Sequence, residues 1–182
     1  IYGETGLAGP LKQLILKKAP ENSRFLACLA RNALLRKPPL GFFRKFVLEH
    51  DGKHRKTFNL KRRGVSPISD LARVHALACG AVPANTRDRL LHVKETSLLA
   101  EGVGDDLLDA LELICMVRIR HQARQAESGA AVDNDVMPES LSSFERNHLK
   151  DAFQIVSQAQ SFLRYRYNVS HAMQTGMRAG QK

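Results

Sequence analysis

From Phe46 to Lys61 the sequence reads FVLEHDGKHRKTFNLK, an alternating ribbon in a chain whose apolar residues elsewhere recur at intervals of three and four. Alternation puts successive side chains on opposite faces, so this stretch cannot continue a helix and has to be an extended element inserted into a helical chain. Its two arms, FVLEH and KTFNLK, flank the stretch that opens DGK at Asp51–Lys53. Asp-Gly tolerates positive φ at both central positions of a two-residue turn, so a β-hairpin or paired extended arm is expected near 44–62. Gly64 then permits a sharp change of direction, Ser66 is suited to cap the next helix, and Pro67 suits its first turn because the N–H it lacks would go unpaired there.

The remaining segments carry helical spacing. Leu11, Leu14 and Ile15 predict a helix over 5–18, and Phe25, Leu26, Leu29, Leu34 and Leu35 predict another over 22–36, divided by Pro20 and stopped by Pro38 and Pro39. The helix opened by Ser66 and Pro67 runs to about Cys79 with Leu71, Val74 and Leu77 as its stripe, and Gly80 ends it. Asn85 or Thr86 caps a fourth helix reaching about Ala100. Asp105 and Asp106 favour the start of a long fifth helix to about Ala126, with Leu108, Leu111, Cys115 and Ile119 on one side. Residues 127–142 read as a polar loop, followed by a last helix with Phe144, Leu149, Ala152, Phe153, Val156, Ala159 and Leu163 in line. The expected fold is mainly α: an antiparallel bundle of about five to six helices in one helical domain, residues 1–168, with a flexible C-terminal tail at 169–182.

Several function classes lack their residues. No apolar run approaches the roughly 20 residues that cross a bilayer. The opening IYGETGLAGP has no initiator Met, basic n-region or apolar core, so the chain is expected to be a piece of something longer without a signal peptide. Cys28, Cys79 and Cys115 are far apart and form no C-x-x-C pair, which fits a reducing cytoplasm better than a disulfide framework or zinc site. The seven histidines contain no H-E-x-x-H pair, so no metal site is expected. There is no G-x-S-x-G elbow and no glycine-rich phosphate loop. Asp133 and Asp135 have the D-x-D spacing of a magnesium-binding pair. That chemistry needs a preceding strand and a Gly-Ser loop, so an inter-helix loop is the better reading.

Charge is the informative remainder. The chain carries a formal +10, and residues 44–63 alone hold eight Lys/Arg against Glu49 and Asp51. A basic segment this dense invites an anionic partner. Lys61, Arg62 and Arg63, with Lys56, can offer charge-assisted hydrogen bonds to phosphate, Arg as a bidentate fork. The alternative is a solvated arm whose Phe58 and Leu60 pack inward. Asp70 and Arg73 lie one turn apart; they can pair with each other, or Asp70 can anchor the Lys61–Arg63 strand. Arg118, Arg120, His121 and Arg124 wrap much of a helix circumference, so some of them must pair internally or meet a ligand. Arg146 and Lys150 read as a solvated face. Nucleic acid is disfavoured as a partner, since no helix-turn-helix spacing stands out and aromatics are 6%.

The segments FNLKRRGVSPISDLARVHALACG, VRIRHQ and LSSFERNHLKDAFQIVSQAQSFLRYRY resemble the putative nucleotidyltransferase substrate-binding domain, with similarity from about Ser23 to Tyr167. That helical module stands at the C-terminus of bacterial signalling proteins, after a cyclic-nucleotide-binding-like domain, paired CBS domains and a nucleotidyltransferase domain similar to that of the PII uridylyltransferase. The specific part is a ribbon-to-helix pattern in which an Asp usually stands where this chain has Asn59. A weaker likeness links LKRRGVSPISDLARVHAL to a strand-glycine-helix element of glutamine synthetase adenylyltransferase. The resemblance implies a substrate-binding or regulatory domain, not catalytic by itself, beside an adjacent nucleotidyltransferase domain of the parent chain. It implies no cofactor in this chain, with Mg²⁺ and nucleoside triphosphate expected only with the missing catalytic domain. A nucleotide, a regulatory protein substrate and a second copy of the chain are further candidate partners. The candidate binding residues are Lys61, Arg62, Arg63, Asp70, Arg73, Arg118, Arg120 and His121. The alternative is a protein–protein interaction or dimerisation module with a basic docking arm.

Overall fold

Three helices open where a side chain accepts an otherwise orphaned N–H. In the computed structural model, which describes residues 5–50 and 56–169, Asn22 accepts from the Phe25 N–H at 2.9 Å to open α2 (Ser23–Ala33). Asn85 accepts from the Asp88 N–H at 2.8 Å to open α4 (Thr86–Lys94). Ser142 and Glu145 form a reciprocal capping box that opens α6 (Ser143–Arg166). With α1 (Ala8–Lys18), α3 (Ser66–Ala78) and α5 (Val103–Glu127) these make six α-helices. The helical bundle is therefore the one expected, with boundaries moved by a few residues. The largest movement is in α4, which stops at Lys94 instead of about Ala100, because Thr96 Oγ1 donates to the Val93 carbonyl at 2.6 Å and accepts from the Leu98 N–H at 3.2 Å.

The core runs between α5, α6 and α3. Leu107, Ala110, Ile114 and Val117 of α5 meet Leu149, Phe153, Val156 and Leu163 of α6, all buried. The stripe expected on α5 is displaced by about one residue, since Ile119 is 58% exposed. Leu108, Leu111 and Cys115 are only half-buried. Two adjacent apolar rows share the same spacing, and only the neighbouring helices decide which row faces in. Phe144 likewise points out, at 66% exposure. α1 differs from the rest: its Leu11, Leu14 and Ile15 form the expected stripe, yet no residue of this helix is buried.

The ribbon is an antiparallel three-stranded sheet in the order β1 (Glu49–His50), β2 (Lys56–Asn59), β3 (Asp135–Val136). Glu49 pairs with Thr57 and His50 with Lys56. That register puts five residues between the paired positions where the Asp-Gly reading required two. The expected turn at Asp51–Gly52 falls among residues 51–55, outside the described residues. Phe58 pairs with Val136 and Asn59 with Asp135, so the supposed polar loop 127–142 contributes a short strand as well as a 3₁₀ turn at Pro138–Ser140. Phe58 and Leu60 are fully buried, the packing that the solvated-arm alternative described, with Phe58 stacking on Phe46 and meeting Phe153 edge-on. Of the expected tail, Val169 is buried against the core and residues 170–182 lie outside the described residues.

The passage from ribbon to α3 is made without a break. Leu60 is already helical (φ −64°, ψ −34°), and Lys61–Val65 form a single π-helical turn closed by the Ser66 N–H donating to the Lys61 carbonyl. Pro67 has no N–H to give to the preceding turn, and the wider turn lies where that bond would be missing. Ser66 is not the cap that its position suggested. Its hydroxyl donates back to the Lys61 carbonyl at 3.0 Å, while Asn59 Oδ1 accepts from the Arg62 N–H at 2.8 Å and does the capping three residues upstream of Arg62. Gly64 serves close approach rather than a bend, because a Cβ there would stand 2.7 Å from Cγ2 of Ile114.

Candidate anion-binding groove

The segment after α2, the end of β1 and the π turn enclose a concavity of about 480 Å³ lined by Leu35, Arg36, Lys37, Glu49, Arg62 and Arg63. Four cations therefore face one carboxylate. Arg63 is the most buried of them, its side chain only 16% exposed. Its Nε donates to the Lys37 carbonyl at 3.2 Å, Nη2 to the Pro38 carbonyl at 3.4 Å, and Nη1 to the Val47 carbonyl at 3.3 Å and to Glu49 Oε1 at 3.1 Å. A guanidinium reaches several carbonyls at once because its donors fan out in a rigid plane, which an ammonium cannot do. Arg63 thus ties the stretch 37–49 to the head of α3. Arg62 pairs with the other oxygen of Glu49 but remains 59% exposed, and Lys37 is exposed at the lip. Arg36 pairs with Asp70 at 2.9 Å.

The groove can therefore grip an oxyanion, with Arg62 as a fork, Lys37 as a point charge, and Glu49 as the group an incoming anion would displace from Arg62. Among the described residues its lining contains no nucleophile or neutral acid. Among the described residues no three His, Cys, Asp or Glu side chains cluster as metal ligands.

The residues singled out from the sequence are distributed as follows. Arg62 and Arg63 come together in the groove, while Lys61 is exposed and outside its lining. Asp70 does not anchor residues 61–63; it binds Arg73 at 2.9 Å as well as Arg36, and Glu49 is the carboxylate that holds Arg62 and Arg63. Arg118, Arg120 and His121 lie elsewhere on α5. Arg120 pairs with Glu145 at 2.8 Å. The capping-box N–H of Ser142, followed by Arg120, holds the Glu145 carboxyl below its ordinary value. His121 lies 3.2 Å from Asp133. Burial pushes the Asp133 carboxyl up, but hydrogen bonds from Gln125, the Asp135 N–H and His121 outweigh it and leave the group below its usual range. Arg118 is half-buried, with its Nε unpartnered. The D-x-D carboxylates do not converge: Asp133 faces α5, and Asp135 accepts from Asn59 Nδ2 at 2.8 Å. Asn59 thus does what an Asp could not, since it donates to Asp135 with one end and caps the π turn leading into α3 with the other.

Arg36 and Lys37 were not legible as site residues. The available signal was the pair of cations just before Pro38–Pro39, which reads equally well as ordinary compensation of a helix C-terminus.

Fold and groove together define a helical bundle carrying a cation-lined cleft at the junction of a small sheet and a π turn. Within that class, the chain belongs to the family described as "Putative nucleotidyltransferase substrate binding domain", whose model matches residues 23–167. No curated protein and no solved structure matches the chain. Among the described residues no helix is long and apolar enough to cross a membrane.

Proposed function

We propose that this chain is the substrate-binding or regulatory domain of a PII-uridylyltransferase-like signalling protein of the bacterial cytoplasm. In this reading it holds the polyphosphate of a nucleoside triphosphate in the groove, while Mg²⁺-dependent transfer belongs to a neighbouring nucleotidyltransferase domain of the parent chain and the bundle itself is not catalytic. The observation that carries the reading is the meeting of Arg36, Lys37, Arg62 and Arg63 over one cleft, with Glu49 the sole carboxylate of its lining among the described residues. Four cations of different reach on one concave wall suit a branched anion better than a single carboxylate. Calorimetric titration with ATP and UTP tests it. Binding should weaken about tenfold or more in Arg62→Ala, a loss typical of one charge-assisted contact, and again in Lys37→Ala; affinity indifferent to both changes would refute it.

A second reading, a docking or dimerisation module with a basic arm, is favoured by Phe42 and Phe43. They are 87% and 85% exposed at the tip of a tight loop bridged by Leu40 and Phe46, with Phe43 and Arg44 held at positive φ. Two large apolar side chains displayed on strained backbone suit a partner's pocket. Sedimentation with and without Phe42→Ser/Phe43→Ser separates a self-association surface from one reserved for another protein.

A further inference from the structure

A second, smaller cavity of about 260 Å³ lies on the other side of the segment that follows α2, and Lys37 lines both. Its volume falls just below the roughly 300–1,000 Å³ of pockets that hold a whole drug-sized ligand, so it suits part of a ligand. The chemistry of the two cavities is complementary. The first is a cluster of cations. The second has an apolar floor of Leu34, Pro38 and Leu40, a wall bearing Ser157 and Ser161, and a rim formed by Lys37 and Arg164, with no carboxylate in its lining. Ser157 Oγ already donates to the Phe153 carbonyl at 2.8 Å and Ser161 Oγ to the Ser157 carbonyl at 3.0 Å. Each hydroxyl therefore presents lone pairs and calls for a donor from the ligand, such as a sugar hydroxyl or an exocyclic amine. Buried Gln160 fixes the wall between the cavities, its Nε2 donating to the Arg36 carbonyl at 2.7 Å and the Ala33 carbonyl at 3.3 Å.

We propose that this cavity is the nucleoside subsite of the groove: base against Leu34, Pro38 and Leu40, sugar or amino donors on Ser157 and Ser161, and the phosphate chain passing Lys37 to reach Arg62. The inference rests on the polyphosphate reading above, and the test separates the two. In calorimetric titrations of the chain, ATP should bind at least about tenfold tighter than tripolyphosphate, the equivalent of about 1.4 kcal/mol. Ser161→Trp, a substitution at an exposed position of α6 that fills the cavity from its wall, should bring ATP down to the level of tripolyphosphate and leave tripolyphosphate unchanged. Ser157→Ala should move ATP in the same direction by a smaller factor. If ATP and tripolyphosphate bind equally and Ser161→Trp changes neither, or if Ser161→Trp weakens both alike, the nucleoside subsite is refuted while the phosphate reading stands. If neither ligand binds, both readings fall.

Discussion

Arg62 and Arg63 are neighbours in the sequence and should behave in opposite ways when removed. Arg63→Ala deletes three contacts to carbonyls, at 3.2–3.4 Å, and an ion pair to Glu49 at 3.1 Å from a side chain only 16% exposed. Taking the low end for the long carbonyl bonds, about 0.5 kcal/mol each, and about 1.5 kcal/mol for the charged pair gives a loss of about 3 kcal/mol. In a chain of this size that lowers Tm by roughly 6–12 °C. Arg63→Lys should recover little of it, because an ammonium has to choose among acceptors that a guanidinium serves together. Arg62→Ala removes a 59% exposed side chain whose one ion-pair partner is half-buried, so stability should change by no more than about 1 kcal/mol. Urea unfolding followed by circular dichroism, paired with titration by tripolyphosphate, reads both properties. Arg62→Ala should lose affinity and keep stability, whereas Arg63→Ala should lose stability first and affinity as a consequence. Equal destabilisation by the two changes, or full stability in Arg63→Lys, would refute the assignment of one arginine to architecture and the other to the ligand.

Two further predictions concern a buried and a half-buried polar group. His75 is fully buried, its Nδ1 lies 3.2 Å from the Tyr167 hydroxyl and its Nε2 has no partner; burial, and then the charge of Arg166, lower its pKa to about 4. The folded state therefore resists a proton that the unfolded chain accepts below pH 6.5, so stability holds above that pH and falls by up to about 3 kcal/mol as pH drops toward 4. Urea unfolding at a series of pH values should show a shallower slope in His75→Phe, and a slope identical to that of the native chain would contradict the burial argument. Asn59→Asp puts a carboxylate against Asp135 in place of the 2.8 Å donor and should cost about 1–3 kcal/mol at neutral pH; Asn59→Asp/Asp135→Asn should restore most of it, as thermal melts would show.

What could be read from the chain was local. Asn85 announces its helix because a cap acts within three residues, whereas the Asn22 cap and the Ser142–Glu145 box emerge only in the structure. Phe58 was recognisable as a candidate inward-facing residue because an alternating ribbon has only two faces, whereas Leu60 is buried from the first helical position beyond the strand. The Asp-Gly signal pointed to a two-residue turn that the pairing of His50 with Lys56 does not allow, because register depends on the pairing partner and not on the turn residues alone. Nor was the choice between two apolar rows on α5, which is made by α6. The groove was half legible: the cations of Arg62 and Arg63 stand in the sequence, but their partner Glu49 and the contribution of Arg36 and Lys37 exist only once α2, β1 and α3 are brought together. The same reason explains Arg120 and His121, whose acidic partners Glu145 and Asp133 lie 25 and 12 residues away.

The π turn at Lys61–Val65 also constrains how this chain can vary in length. A helix advances about 100° per residue, so trimming one residue from that turn would leave an ordinary helix whose upstream end is rotated by that angle. Arg62 and Arg63 would swing off the cleft and Asn59 would lose its strand partner, while α3 itself would remain well formed. Gaps and insertions elsewhere on the surface can be absorbed by loops; a one-residue indel at this spot would erase the cleft from an otherwise intact bundle.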